Sequence, residues 1–208
     1  MNFAILGREE KCTGDSARRL GDEFLFQELA QENIATLARY HVRQIVTPCP
    51  HCLNSLVKDY PQFGGNYEVI HHTQFINELV GAGKIQLSVT SDQLSVTFHD
   101  PCYLSRHNKI TDAPRNMLHS VGMLTIEMPR NSDKSFCCGA GGAQMWKEEE
   151  NGTARVNEVR YAEAKSTGAK MVAVGCPFCL TMLNDASKAD GDSMQVKDVV
   201  EIVAERME

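Results

Sequence analysis

Between residues 15 and 40 the apolar side chains Leu20, Phe24, Leu29, Ile34 and Leu37 fall at roughly helical intervals in a polar background, which predicts a helix there. The rhythm then shortens. Gln44 to Thr47 is a brief apolar run that reads as a strand; it leads into Cys49-Pro50-His51-Cys52, and Leu53 to Tyr60 returns to helical spacing. The same succession comes again in Val156, Val159 and Ala162, then Met171 to Val174, then Cys176-Pro177-Phe178-Cys179, then Leu180 to Lys188. Leu94 to His99 and Leu124 to Met128 add strand candidates around a segment from Pro114 to Ser120. Strands that alternate with helices predict an α/β fold, with mostly parallel strands flanked by helices.

The recurrence is regular enough to define two pseudo-symmetric repeats. Cys49 and Cys176, at the heart of the matching segments, stand 127 positions apart. Cys12-Thr13-Gly14 begins 37 positions before Cys49, and Cys138 of Cys137-Cys138-Gly139 lies 38 before Cys176. Val69, in Tyr67-Glu68-Val69-Ile70, lies 17 positions past Cys52, and Val196, in Met194-Gln195-Val196, lies 17 past Cys179. The predicted repeats are residues 1–90 and 91–208, meeting near Ser88 to Leu94 and packed on each other. Carried back by the same offset, the counterparts of Cys102 and of the Leu94 to His99 strand fall before Met1. The first repeat is therefore expected to be N-terminally incomplete.

Composition narrows the chemistry. A chain of 208 residues can bury a core without covalent staples, so disulfides are the weaker reading of its eight cysteines. The 21 Lys and Arg against 27 Asp and Glu give a net charge of −6, with no basic run to serve as a nucleic-acid footprint. No stretch approaches the roughly 20 apolar residues of a membrane span, and the opening Met1 to Glu10 has no basic segment followed by a long apolar one. A cytoplasmic, reducing location is expected.

In each Cys-Pro-x-Cys the proline suits the first turn of a helix, which places both sulfurs by free N–H groups that favour thiolate. A dithiol redox site, a zinc site and an iron–sulfur cluster all fit that geometry. The second repeat offers five cysteines, Cys102, Cys137, Cys138, Cys176 and Cys179, where structural zinc takes four and a dithiol site two. Adjacent cysteines beside Gly139, Gly141 and Gly142 suit a multi-iron cluster, which offers separate attachment points and a close backbone approach.

The pattern Cys102, Cys137-Cys138-Gly139, Cys176-Pro177-Phe178-Cys179 resembles the cysteine-rich CCG domain found in the cluster-binding subunit of heterodisulfide reductase and in the iron–sulfur subunit of glycolate oxidase, over essentially the whole chain. Lys11 to Arg19, His99-Asp100-Pro101-Cys102-Tyr103 and Ser135 to Gly142 resemble one branch more closely, the membrane-associated iron–sulfur reductases that oxidise electron-transfer flavoprotein. The resemblance implies a [4Fe-4S] cluster, of noncubane type in heterodisulfide reductase, on the five cysteines of the second repeat. It implies an iron–sulfur oxidoreductase module passing electrons between electron-transfer flavoprotein, or another dehydrogenase, and a quinone pool, or reducing a disulfide. Its expected partners are that flavoprotein or a ferredoxin-like or membrane protein, and the chain is expected to associate with a membrane through such a partner or through a missing N-terminal region. The first repeat departs from the pattern, reading Cys12-Thr13-Gly14. Cys12, Cys49 and Cys52 are expected to form a separate metal site, for zinc (with His51 or an outside ligand) or for a cluster. The alternative for the whole chain is a zinc-stabilised, non-catalytic domain that organises a redox complex.

His99 is the candidate catalytic residue, as donor to a cluster sulfur or proton relay, against a plainer role in tying a strand end to its loop. Arg106, His107 and Arg130 are candidates for anion contact or simple solvation. A metal role for His71-His72 has little support in spacing, and Met145 and Trp146 read as core packing.

Overall fold

The computed structural model describes residues 3–89, 94–148 and 151–207. The predicted helix over 15–40 is two helices, α1 (Asp15–Leu20) and α2 (Glu23–Arg39). Gly21, at φ 89°, ends the first in a left-handed turn, and the Asp22 carboxylate then accepts from the Leu25 N–H at 3.1 Å to start the second. The chain continues through β1 (Gln44–Thr47), α3 (Pro50–Asn54), β2 (Glu68–His71) and α4 (His72–Gly81). Leu53 to Tyr60 is helical only in pieces, since α3 passes into a π-helical turn over Ser55–Asp59.

The second part runs β3 (Ser95–His99), α5 (Asp112–Ser120), β4 (Leu124–Thr125), α6 (Val156–Ser166), β5 (Met171–Val174), α7 (Pro177–Ala189), β6 (Gln195–Asp198) and α8 (Val199–Ala204). All strand pairings in the two sheets are parallel: β1 with β2, and a four-stranded sheet in the order β4-β3-β5-β6. The α/β class with parallel strands and flanking helices is therefore as expected. The strand expected over Leu124 to Met128 keeps only its first two residues; Ile126 still donates to the Val96 carbonyl at 2.8 Å, but Pro129 has no N–H with which to extend a ladder. The junction expected near Ser88 to Leu94 lies partly outside the described residues.

β5 is central and buried on both faces, which is why it reads as an unbroken apolar run. Val172 and Val174 point to Tyr161 and Ala164 of α6 and Leu183 and Ala186 of α7. Ala173 points the other way, where it joins Val96 and Phe98 of β3 under Met117 and Leu118 of α5 and Ile202 and Val203 of α8. A separate core forms where Phe26 and Ala30 of α2 meet Leu56 and Tyr60. Trp146 corrects its sequence reading. It is 64% exposed, and its indole N–H donates to Ser16 Oγ at 3.3 Å, whereas Met145 does pack against the core.

The parallel between the two parts extends to register. Gln44↔Glu68 and Thr47↔His71 in the small sheet match Met171↔Gln195 and Val174↔Asp198 in the large one, each residue 127 positions on. His71 and Asp198 then begin α4 and α8 with the same reciprocal capping box, closed by Gln74 and Glu201. The two parts pack together: His72 Nε2 lies 3.4 Å from Asp198 Oδ1, and Lys58 donates to the His107 carbonyl at 2.8 Å.

Candidate metal centre

Both Cys-Pro-x-Cys segments turn a strand into a helix in the same way. Cys49 and Cys176 are extended N-cap residues with Pro50 and Pro177 next to them, and their carbonyls accept from Leu53 and Leu180 at 2.9 Å. The Cys137-Cys138-Gly139 loop depends on its glycine. Gly139 has φ +93°, a Cβ there would meet Val156 at 3.2 Å, and its N–H donates to Cys137 Sγ at 3.2 Å. Gly14 repeats this at φ +83°, donating to Cys12 Sγ at 3.4 Å, where a Cβ would strike Phe26 at 2.8 Å.

All eight cysteines are free thiols. Seven of them form a continuous run. Cys102 interacts with Cys137, Cys137 with Cys138, and Cys179 donates to Cys138 at 3.2 Å. Cys176 interacts with Cys179 and with Cys49, and Cys49 with Cys52. The five cysteines of the second part thus converge. The expected separation of a first-repeat set does not hold, because Cys49 touches Cys176. Where the two sets meet, the buried His71 ring lies against the backbone of Pro48 and Gly175, the residues just before the two Cys-Pro turns. Cys12, by contrast, is exposed.

The first part carries a substitution that the cysteine spacing alone does not place. Cys12 corresponds to Cys137, each accepting from the glycine two residues on. Thr13 Oγ1 donates to Cys52 Sγ at 3.4 Å, where in the second part Cys179 and Cys138 meet. A hydroxyl therefore stands where the second part has a sulfur. His51, considered as a fourth zinc ligand, is bonded through Nδ1 to Asp15 Oδ2 at 2.9 Å and stacked on Tyr103 with ring centroids 4.2 Å apart.

The thiols fall into acceptors and donors. Bonds from Cys102 and Cys138, together with the Gly139 and Gly141 N–H groups, hold Cys137 far below the usual thiol range against the penalty of burial. Burial pushes Cys176 up, but the neighbouring Cys179 sulfur, donation from Cys49 and the first-turn N–H groups of Phe178 and Cys179 outweigh it and leave this thiol well below its ordinary value. Their neighbours move the other way. Cys138, donating to Cys137, rises to about 12, and Cys49, donating to Cys176, also rises to about 12.

His99 ends β3 and is fully buried. A ring nitrogen of His99 and the Cys138 and Cys179 sulfurs all lie within 4.8 Å of one another, the one such group of three possible ligand residues among the described residues. Nδ1 accepts from Arg160 Nε at 2.9 Å, and buried Nε2 has no hydrogen-bond partner. Burial, then the Arg160 charge, lowers the pKa of the ring to about 3. Asp100, next in sequence, holds Arg115 through two bonds of 2.8 and 2.9 Å and accepts from the Ser132 N–H, tying the Cys102 loop to the loop that leads to Cys137.

The other candidates divide. Arg106 is exposed, and its charge only partly opposes the bond to Cys137 and the burial that push the Cys102 thiol up. Arg130 is engaged with Glu163 at 2.8 Å and lies over the Phe136 ring. His107 is exposed beside Tyr103, and His71 and His72 serve the helix cap and the contact with Asp198. Sequence reasoning missed Arg160, which lies 61 positions from the ring it touches.

Comparison with known proteins follows the same lines. A family model described as a cysteine-rich domain, CCG, matches residues 1–57 and again 96–184. The chain is 46% identical over 208 residues to a probable iron-sulfur-binding oxidoreductase, FadF, of Bacillus subtilis (strain 168), covering 99% of this chain and 29% of that protein. It is 43% identical over 216 residues to an EtfAB:quinone oxidoreductase of Syntrophomonas wolfei, covering 100% and 30%. Over 214 residues it is 34% identical to a component of the dihydromethanophenazine:CoB–CoM heterodisulfide reductase of Methanosarcina barkeri, covering 100% and 52%. The chain thus spans between about a third and a half of the length of these relatives. No helix among the described residues is long and apolar enough to cross a membrane. With both matches centred on the cysteine motifs that build this site, the chain belongs to the CCG cysteine-rich domain family.

Proposed function

We propose that this chain is an iron–sulfur electron-transfer module of an oxidoreductase, with residues 91–208 holding a [4Fe-4S] cluster through Cys102, Cys137, Cys138, Cys176 and Cys179. The observation that carries the reading is the convergence of these five sulfurs, three buried and two partly buried, in a run that already receives backbone N–H bonds. The donor set fits such a cluster: it exceeds the four ligands of zinc, and it leaves an unpartnered ring nitrogen, His99 Nε2, with the Cys138 and Cys179 sulfurs beside the ring. A bound cluster supplies one-electron chemistry. The protein residues hold the thiolates, exclude water by burial and donate hydrogen bonds to sulfur.

The names of the relatives support an electron path between electron-transfer flavoprotein and quinone, with disulfide reduction as the related reaction of the heterodisulfide reductase. A ferredoxin-like or membrane partner would complete that path. Residues 1–90 form the first repeat, in which Cys12, Cys49 and Cys52 are a three-thiol metal site, for zinc or a cluster, joined to the second set through Cys49 and weakened by Thr13.

Anaerobic reconstitution with iron and sulfide should give visible absorbance and an EPR signal on reduction. Cys137→Ser and Cys176→Ser should each strip most of the iron. Wild-type protein that stays colourless and silent overturns the proposal.

A further inference from the structure

Arg160 is completely buried, with none of its surface exposed, and lies in sequence between the Cys137-Cys138-Gly139 and Cys176-Pro177-Phe178-Cys179 motifs. Its Nη1 donates to the Arg130 carbonyl and to Glu163 Oε2, both at 2.9 Å, which fixes the plane of the guanidinium. Its Nε then donates to His99 Nδ1 at 2.9 Å. A guanidinium does not give up its proton in a protein, so Nδ1 must present a lone pair, and the neutral ring carries its hydrogen on Nε2. That N–H is buried and without an acceptor, while the Cys138 and Cys179 sulfurs lie beside the ring.

We propose that Arg160 is a positioning residue that locks His99 in its Nε2–H tautomer, so that the ring donates a hydrogen bond to sulfur at the Cys138–Cys179 pair. A buried polar N–H without a partner is costly, and thiolate or cluster sulfur is the acceptor that completes it. The arrangement makes His99 a fixed donor, and the proton relay is the weaker of its two expected roles: a second proton would set two N–H donors against each other at Arg160. N–H donation to cluster sulfur stabilises the more negative, reduced state, so the pair raises the reduction potential. This second step rests on the iron–sulfur reading above. The tautomer does not.

The tautomer is read by ¹⁵N-histidine NMR on the metal-free, thiol-reduced chain, with His99 assigned from the signals lost in His99→Gln. The proton should sit on Nε2 in the wild type, and Arg160→Met should show both tautomers. A wild-type proton on Nδ1 overturns the assignment. In the loaded protein, a redox titration followed by EPR should place the midpoint of His99→Leu and of Arg160→Met below that of the wild type, with the double variant no lower than His99→Leu. His99→Gln retains an amide donor and should stay close to the wild type. Equal potentials for His99→Leu and wild type overturn the tuning role. If Arg160→Met does not fold, the contrast between His99→Leu and His99→Gln still decides. If the chain takes up no iron, the functional reading fails, and the NMR result alone decides the role of Arg160.

Discussion

Thr13 shows how one atom can separate two otherwise matching sites. Its hydroxyl meets Cys52 at 3.4 Å, as Cys138 meets Cys179 at 3.2 Å in the second part, and the glycine that follows each motif donates back to the first cysteine. Thr13→Cys should therefore raise metal retention by the first set, measured as zinc or iron bound per chain in a Cys137→Ser background, where the second set is disabled. Unchanged binding would show that more than this sulfur is missing. The cysteines themselves were readable in the sequence because their number and spacing state their chemistry. Arg160 was not, because it lies on a helix whose apolar rhythm is weak and its partner is on a distant strand. No local pattern signals a buried cation whose use depends on the tautomer of a distant ring.

Among the elements, the most informative are the strand ends. The Cys-Pro turns were predictable, since proline next to an extended cysteine starts a helix in both parts. The helix over 15–40 divides because Gly21 takes a left-handed turn that apolar spacing does not register. Asp198→Ala removes the cap of α8 and should cost about 1 kcal/mol, seen as a lower urea midpoint at unchanged slope. His71 caps α4, and its pKa is lowered to about 3 by burial first and by His72 second. A ring held neutral in the fold but free to protonate when unfolded contributes stability that is present above a pH of about 6.5 and lost as the pH falls toward 3. Over that window it steepens the decline by up to about 1.4 kcal/mol per pH unit. His71→Asn, which can still cap, should flatten the pH dependence of the urea midpoint in metal-free protein. An unaltered slope would show that this ring does not titrate on unfolding.

At the scale of the molecule, duplication could be read from the 127-residue offset, but the meeting of the two cysteine sets could not. Spacing reports what lies within a repeat. The contact of Cys49 with Cys176 arises from how the repeats pack, with His71 against the backbone of both Cys-Pro turns. One largely buried sulfur run therefore crosses the boundary between the two parts, and on the proposed reading it is an electron-transfer centre in a larger oxidoreductase. The direct test is iron, acid-labile sulfide and zinc per chain after anaerobic purification and reconstitution. Iron and sulfide near four each, lost together in Cys137→Ser, are the predicted result. Zinc near one per chain with no bound iron or sulfide would contradict it and identify the chain as a zinc-stabilised domain instead.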